Sequence, residues 1–322
     1  MRAGEGNIKN SSTDGIWRRF RVFIATYFSS VPICTPSTMQ EQKIETEFGT
    51  LWTASSEPQA FSKSNPAILF LHGSATSSRI FEPLLNSPEL KANHKLIVFD
   101  FPGHGRSSDA PDPNKSYYQY AYAEAALEVL RYHNITQLIV LGWSLGGHVA
   151  LELVSVLANA KPPIDIRIAG IMITGTPPVP KQQITGFRKD ADVSALFNPE
   201  ASKEDLIKVA SVFTKSAPPG WLVEDVLRTN RLTGSTMGAK FMQGHCSDQI
   251  KIVHDFKGWI AVVNGGAEPL IDLDYCDSVC KGAPRLWRGE CIRLKDEGHA
   301  PFFDNPQGFL TVFLDFVDSC KL

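Results

Sequence analysis

The sequence has little cysteine, no surplus of charge of either sign, and no apolar run long enough to cross a bilayer. Its six cysteines, Cys34, Cys246, Cys276, Cys280, Cys291 and Cys320, are few for 322 residues and lack metal-knuckle spacing. They read as reduced thiols, with Cys276 and Cys280 one helical turn apart, a spacing suited to two buried side chains. A formal net charge of -2 leaves no polybasic surface, which argues against nucleic acid or an anionic membrane as principal partner and for a small molecule. The run from Val22 to Cys34 is broken by Thr26, Ser29, Ser30 and Pro32, so it is too short and too polar to span a membrane.

What is present is the material of a large core. With 43% hydrophobic and 20% charged residues, the chain suits one α/β domain or such a domain with a sizeable insertion. Residues 1–38 differ from the rest: Arg2, Lys9, Arg18, Arg19 and Arg21 stand against only Glu5 and Asp14. The segment fits neither a clean secretory signal nor an acid-free mitochondrial leader. It reads as a disordered extension, an address, or a stretch upstream of a start at Met39, and a cytoplasmic location is expected. Sequons at Asn10 and Asn134 matter only in a secreted chain, and Asn134 is expected to open a strand.

From Met39 onward strands and helices alternate. A hairpin is expected over Glu45–Ala54, then short buried strands over Ala67–Leu71 and Leu96–Phe99 ending in glycine turns. A helix over Tyr118–His133 leads to a strand ending at Ser144, with a helix over Val149–Leu157 behind it. Further strands are expected at Ile168–Ile173, Trp259–Val263 and Cys291–Leu294, before a closing helix from Pro306 to Val317. This order predicts a mostly parallel sheet covered by helices. Between Pro177 and about Asp255 the pattern breaks into short helices, Lys203–Thr214, Trp221–Asn230 and Ser235–Gln243. The expected division is therefore a core of 39–177 and 256–322 with a helical lid over 178–255. Phe187, Leu196, Phe197, Phe213, Trp221, Met237, Phe241 and Met242 are candidates to wall a pocket.

The chemistry is concentrated where four apolar residues, Leu138 to Leu141, run into Gly142-Trp143-Ser144-Leu145-Gly146 and then a helix. That strand, sharp turn and helix hold a serine hydroxyl above the sheet edge, and glycines flank it because larger side chains would collide. A serine attacks a carbonyl only if an imidazole removes its proton and a carboxylate orients that imidazole. Of the eight histidines, His299 follows the last strand in Glu297-Gly298-His299, where a loop carries it back over the nucleophile. The carboxylate is expected from the loop after Trp259–Val263, where Glu268 sits in the turn; Asp272 is the alternative. Backbone N–H groups of Leu145 and Ser74 are the candidate oxyanion hole.

Taken together, His72-Gly73-Ser74, Asp100 to Ser107, Gly142 to Gly147 and Glu297-Gly298-His299 resemble the α/β-hydrolase superfamily over residues 40–322. The likeness is to the esterase, haloperoxidase-like and peptidase-like branch, and to fungal members, some of which act in biosynthetic clusters. It implies a lid after the sixth strand, the chain order Ser, acid, His, and a structural role for the Asp100–Ser107 turn. Glu268 departs from the commoner aspartate, and serine at 144 argues against branches with a carboxylate nucleophile. The expected function is hydrolysis of a small or medium apolar ester, thioester or lactone through an acyl-enzyme, with no cofactor or metal. Acyl transfer by the same residues, and a non-catalytic small-molecule receptor on the same fold, remain alternatives.

Overall fold

The computed structural model describes residues 39–58 and 65–321. The extension at 1–38, the Asn10 sequon and Cys34 lie outside the described residues. Eight strands form one sheet: β1 (Gln40–Thr46), β2 (Gly49–Ser55), β3 (Ala67–Leu71), β4 (Leu96–Phe99), β5 (Gln137–Trp143), β6 (Arg167–Thr174), β7 (Trp259–Gly265) and β8 (Ile292–Leu294). Their order across the sheet is β1-β2-β4-β3-β5-β6-β7-β8. The continuously apolar runs take the middle: β3 and β4 are buried at every residue, as parallel strands covered on both faces require. The polar strand β1, Gln-Glu-Gln-Lys-Ile-Glu-Thr, lies at an edge and, among the described residues, pairs only with β2. Pairings β1/β2 and β2/β4 are antiparallel and all others parallel.

Alternation along the strands divides the core into two layers. Ile68, Phe70, Leu96, Val98, Ile139 and Leu141 pack with Phe309, Phe313 and Phe316 of a closing helix, Pro306–Ser319. Leu69, Leu71, Ile97, Phe99, Leu138 and Val140 pack on the opposite face against α1 (Gln119–Tyr132) and α2 (Leu145–Asn159). Each large side chain so buried contributes about 1.5–3 kcal/mol of transfer free energy. The closing helix begins as its sequence dictates: Asn305 accepts from Gly308 N–H as N-cap and Pro306 supplies a preset φ in the first turn.

Between β6 and β7 the chain leaves the sheet and forms α3 (Lys203–Phe213), α4 (Gly220–Arg228), α5 (Leu232–Met242) and α6 (Gln249–Asp255). The first three fall close to the spans expected from sequence. The fourth is fixed by a cap that the periodicity did not reveal, Asp248 accepting from Lys251 N–H. After β7 come α7 (Leu273–Cys280), β8 and the closing helix, α8 (Pro306–Ser319). Asn134 corrects one expectation. It does not open a strand but turns the chain after α1 at φ 55, a conformation asparagine tolerates, and β5 starts three residues later. Cys246, Cys276, Cys280, Cys291 and Cys320 are all free thiols.

Candidate active site

Ser144 sits where β5 hands over to α2, with φ 53 and ψ −120. Such a backbone costs on the order of 1–3 kcal/mol and persists only where its surroundings hold it. Here Ser144 N–H donates to Thr174 O at 2.9 Å, and Thr176 Oγ1 donates to Ser144 O at 2.8 Å. The turn is possible because α2 starts almost in contact with β3: a Cβ on Gly146 would collide with the carbonyl of Leu71.

His299 is 1% exposed, and its Nδ1–H donates to Glu268 Oε1 at 2.8 Å and Oε2 at 3.0 Å. Glu268, three residues past β7, is itself held, with Oε1 accepting from Leu270 N–H at 2.9 Å. The imidazole is tied to the serine turn from behind, since Trp143 Nε1–H donates to His299 O at 2.8 Å. Gly175, at φ 62, leaves the ring its space; a Cβ there would lie 2.7 Å from His299 Cε1. Nε2 of His299 has no hydrogen-bond partner among the described residues. Asp272 is not part of this arrangement: its exposed carboxylate caps α7 by accepting from Asp274 and Tyr275 N–H.

Ser144, His299, Ser74 and Leu145 line one cavity of about 420 Å³. Its walls come largely from the segment between β6 and β7, including Phe187, Leu196, Phe197, Phe213, Met237 and Phe241. Trp221 and Met242, expected in the wall, are elsewhere. Trp221 packs on Phe303 beneath the Arg79 guanidinium, and Met242 is 59% exposed. The N–H groups of Ser74 and Leu145 have no partner among the described residues. Ala75 beside Ser74 is a second strained position, at φ 55. A larger open depression of about 1000 Å³ lies behind Glu268, with Arg188, Asp190, Asp274 and Arg293 in its lining. It contains neither Ser144 nor His299.

The Asp100–Ser107 turn is structural. The Asp100 carboxylate is fully buried and accepts from Ser78 N–H and Oγ, Arg106 N–H and Arg106 Nε. His72 Nε2 accepts from Phe101 N–H at 2.9 Å, and burial pushes its pKa down to about 4. Burial similarly brings His104 down to about 3. Further polar residues also line the cavity: Arg188, Asp192 and Ser194 from the segment between β6 and β7, and Gln119 and His148 from α1 and α2. The spacing of His148, four residues after Ser144, held the only sequence signal for either of the last two. Among the described residues no group of three or more His, Cys, Asp or Glu side chains converges as metal ligands would.

A parallel-sheet fold with a serine on a strained strand-to-helix turn, and a histidine-carboxylate pair lining the same cavity, defines an α/β-hydrolase architecture. Residues 68–312 match the Alpha/beta hydrolase family, and the chain belongs to it. A mutant of the N-acyl homoserine lactonase AidH, complexed with N-hexanoyl homoserine lactone, is similar at TM-score 0.79 and 32% identity, over 87% of this chain and 98% of that one. The pimeloyl-[acyl-carrier protein] methyl ester esterase of Xylella fastidiosa is 34% identical over 96 residues, 30% of this chain; the match spans 34% of that protein, about a third of its length. The enzyme of the same name from Nitrosomonas europaea is 22% identical over 256 residues, covering 77% of this chain and 94% of that protein.

Proposed function

We propose that the protein is a serine hydrolase of small or medium carboxylic esters and lactones, acting through an acyl-enzyme. The observation that carries this reading is His299, buried against Glu268, lining one apolar cavity with Ser144. Ser144 Oγ attacks the carbonyl carbon while His299 Nε2 takes its proton. The tetrahedral oxyanion accepts hydrogen bonds from Leu145 and Ser74 N–H, and losing one such donor costs about 3 kcal/mol of transition-state stabilisation. His299 then gives its proton to the leaving oxygen as the C–O bond breaks; in a lactone that oxygen stays tethered to the acyl group. Water, deprotonated by the same Nε2, releases the acid and restores the serine. Glu268 fixes the ring with Nδ1 protonated and stabilises the imidazolium.

The cavity's apolar walls suit an acyl body of a few carbons, and the helices between β6 and β7 act as the lid that limits its length. The likeness to a lactonase supports including lactones, and the likeness to a methyl ester esterase supports including simple alkyl esters. The test is hydrolysis of a panel of alkyl esters and γ-lactones of rising acyl length by the wild type and by Ser144→Ala. Turnover that requires Ser144 is expected. Turnover unchanged in Ser144→Ala would overturn the proposal.

A further inference from the structure

Helix α4 of the segment between β6 and β7 puts no side chain into the cavity; its contacts go to the loops after β3 and β4. Trp221, Glu224, Asp225 and Arg228 share one face of that helix, at i, i+3, i+4 and i+7. The Arg79 guanidinium lies over the Trp221 ring, with Nη1 3.9 Å from Glu224 Oε2 and 3.8 Å from Asp225 Oδ1. Arg228 Nη2 donates to Ser107 O at 2.6 Å, and Asn230 N–H, just past the helix, donates to Gly103 O at 2.9 Å. One contact is buried: Ser77 Oγ donates to Asp225 Oδ2 at 2.5 Å, with Ser77 fully covered and Asp225 6% exposed. Ser77 is three residues past Ser74, whose N–H is a proposed oxyanion donor, and two past Ala75, held at φ 55. Its neighbour Ser78 is anchored to the core instead, N–H and Oγ both donating to Asp100 Oδ1. Val226 and Thr229 line one small void of about 20 Å³ with Ser74 and Ala75.

Resting on the hydrolase reading, we infer that Asp225 is a positioning residue: through Ser77 it holds the loop after β3 in the conformation that aims Ser74 N–H at the oxyanion. A positive φ at alanine is strained and persists only where the surroundings over-determine it. Two buried carboxylates supply that constraint, Asp100 from the core at Ser78 and Asp225 from the inserted segment at Ser77. The Ser77 hydroxyl is fully committed, donating to Asp225 and accepting from Arg79 N–H at 3.3 Å. Without the carboxylate, relaxation at Ala75 turns the adjoining peptides, and an oxyanion donor acts only within about 2.7–3.1 Å of its target. The substrate carbonyl depends on that donor less than the oxyanion does, so the loss falls on kcat and not on KM. The inserted segment then has two tasks on separate helices: α3 and α5 wall the cavity, and α4 braces a loop that carries a reacting group.

The test measures kcat and KM on a short-chain p-nitrophenyl ester for the wild type, Asp225→Ala, Asp225→Asn and Ser77→Ala, each rate divided by the sites that a fluorophosphonate labels at end point. Asp225→Ala and Ser77→Ala should each lose about tenfold or more in kcat, part of the roughly 10²–10³-fold that outright loss of one donor costs, with KM within about twofold. Asp225→Asn, which keeps an acceptor oxygen for Ser77, should recover most of what Asp225→Ala loses. An alkylboronic acid, whose tetrahedral adduct places an oxygen where the oxyanion forms, should bind Asp225→Ala more weakly by the factor that kcat falls. A role in stability alone would lower the number of labelled sites and leave the rate per site and the boronate affinity unchanged, which would overturn the inference. If Asp225→Ala does not fold, Ser77→Ala decides by the same readings; failure of both to fold would make the pair structural and overturn the inference too. If the wild type hydrolyses esters at a rate per site indifferent to both substitutions, the inference falls and the hydrolase reading stands. If the wild type cleaves no ester or lactone and takes no label, both fall.

Discussion

At the scale of single residues, Glu268 and Asp272 make opposite predictions. Replacing a nucleophile or base of this type removes nearly all turnover, whereas weakening the carboxylate costs roughly 10²-fold less. His299→Ala should therefore lose roughly 10²-fold more kcat than Glu268→Gln, measured on one ester at saturation. Asp272→Ala should leave kcat/KM within about twofold while lowering stability by about 1 kcal/mol, the worth of an N-cap, in urea titrations. Comparable activity losses from Asp272→Ala and Glu268→Gln would contradict the arrangement. Much of the candidate site was legible in the sequence because the elbow needs Gly142 and Gly146 around Ser144, and because His299 and Glu268 follow strands in the required order. Gln119 and His148 were not legible as cavity residues. The partners that fix His148, Gln249 and Glu152, are brought together across about 100 residues of sequence, and nothing local marks a buried amide as unpaired.

At the scale of elements, two glycines set how closely the pieces approach. Gly146→Ala should destabilise by at least about 2 kcal/mol, because its methyl meets the Leu71 backbone, which cannot rotate away. Gly175→Ala, at positive φ and against the His299 ring, should lower kcat more than it lowers stability; chemical denaturation and kinetics on the same preparation separate the two. The loops after β3 and β4 also carry a pH signature. His72 has its pKa pushed down to about 4 by burial, against 6.5 when unfolded, so the unfolded chain binds more protons between those values. Stability from this group is complete above pH 6.5 and is lost as pH falls toward 4, by about 3 kcal/mol at the acid limit. Urea unfolding at about pH 7, 5.5 and 4.5 should show that decline, and His72→Gln should make it shallower without removing it, because burial of His104 adds a loss of the same sign. The element order was readable from continuous apolar strands separated by helical spacing. Helix α6 was not, since seven residues give too little periodicity and its start rests on one Asp248 cap.

At the scale of the whole molecule, one sheet with two packed faces carries a helical segment whose side chains supply most of the cavity's apolar wall. Core and chemistry are thus encoded in different stretches: β3, β5, β7 and β8 carry the proposed reacting groups at their ends, and the segment between β6 and β7 lines most of the cavity they share. The first was legible because strained turns and buried strands have strong sequence rules. The second was legible only as an apolar group, since which aromatics face inward depends on how short helices dock; Phe213 turned toward His299 while Trp221 turned to Phe303. Among the described residues no helix is long and apolar enough to cross a membrane. All of the proposed chemistry depends on Ser144 being an activated nucleophile. Intact-protein mass spectrometry of the wild type and Ser144→Ala, after exposure to a small alkyl fluorophosphonate, asks this without choosing a substrate. A single phosphonyl adduct is expected on the wild type and none on the variant; an unmodified wild type, or an adduct that persists in Ser144→Ala, would contradict the assignment.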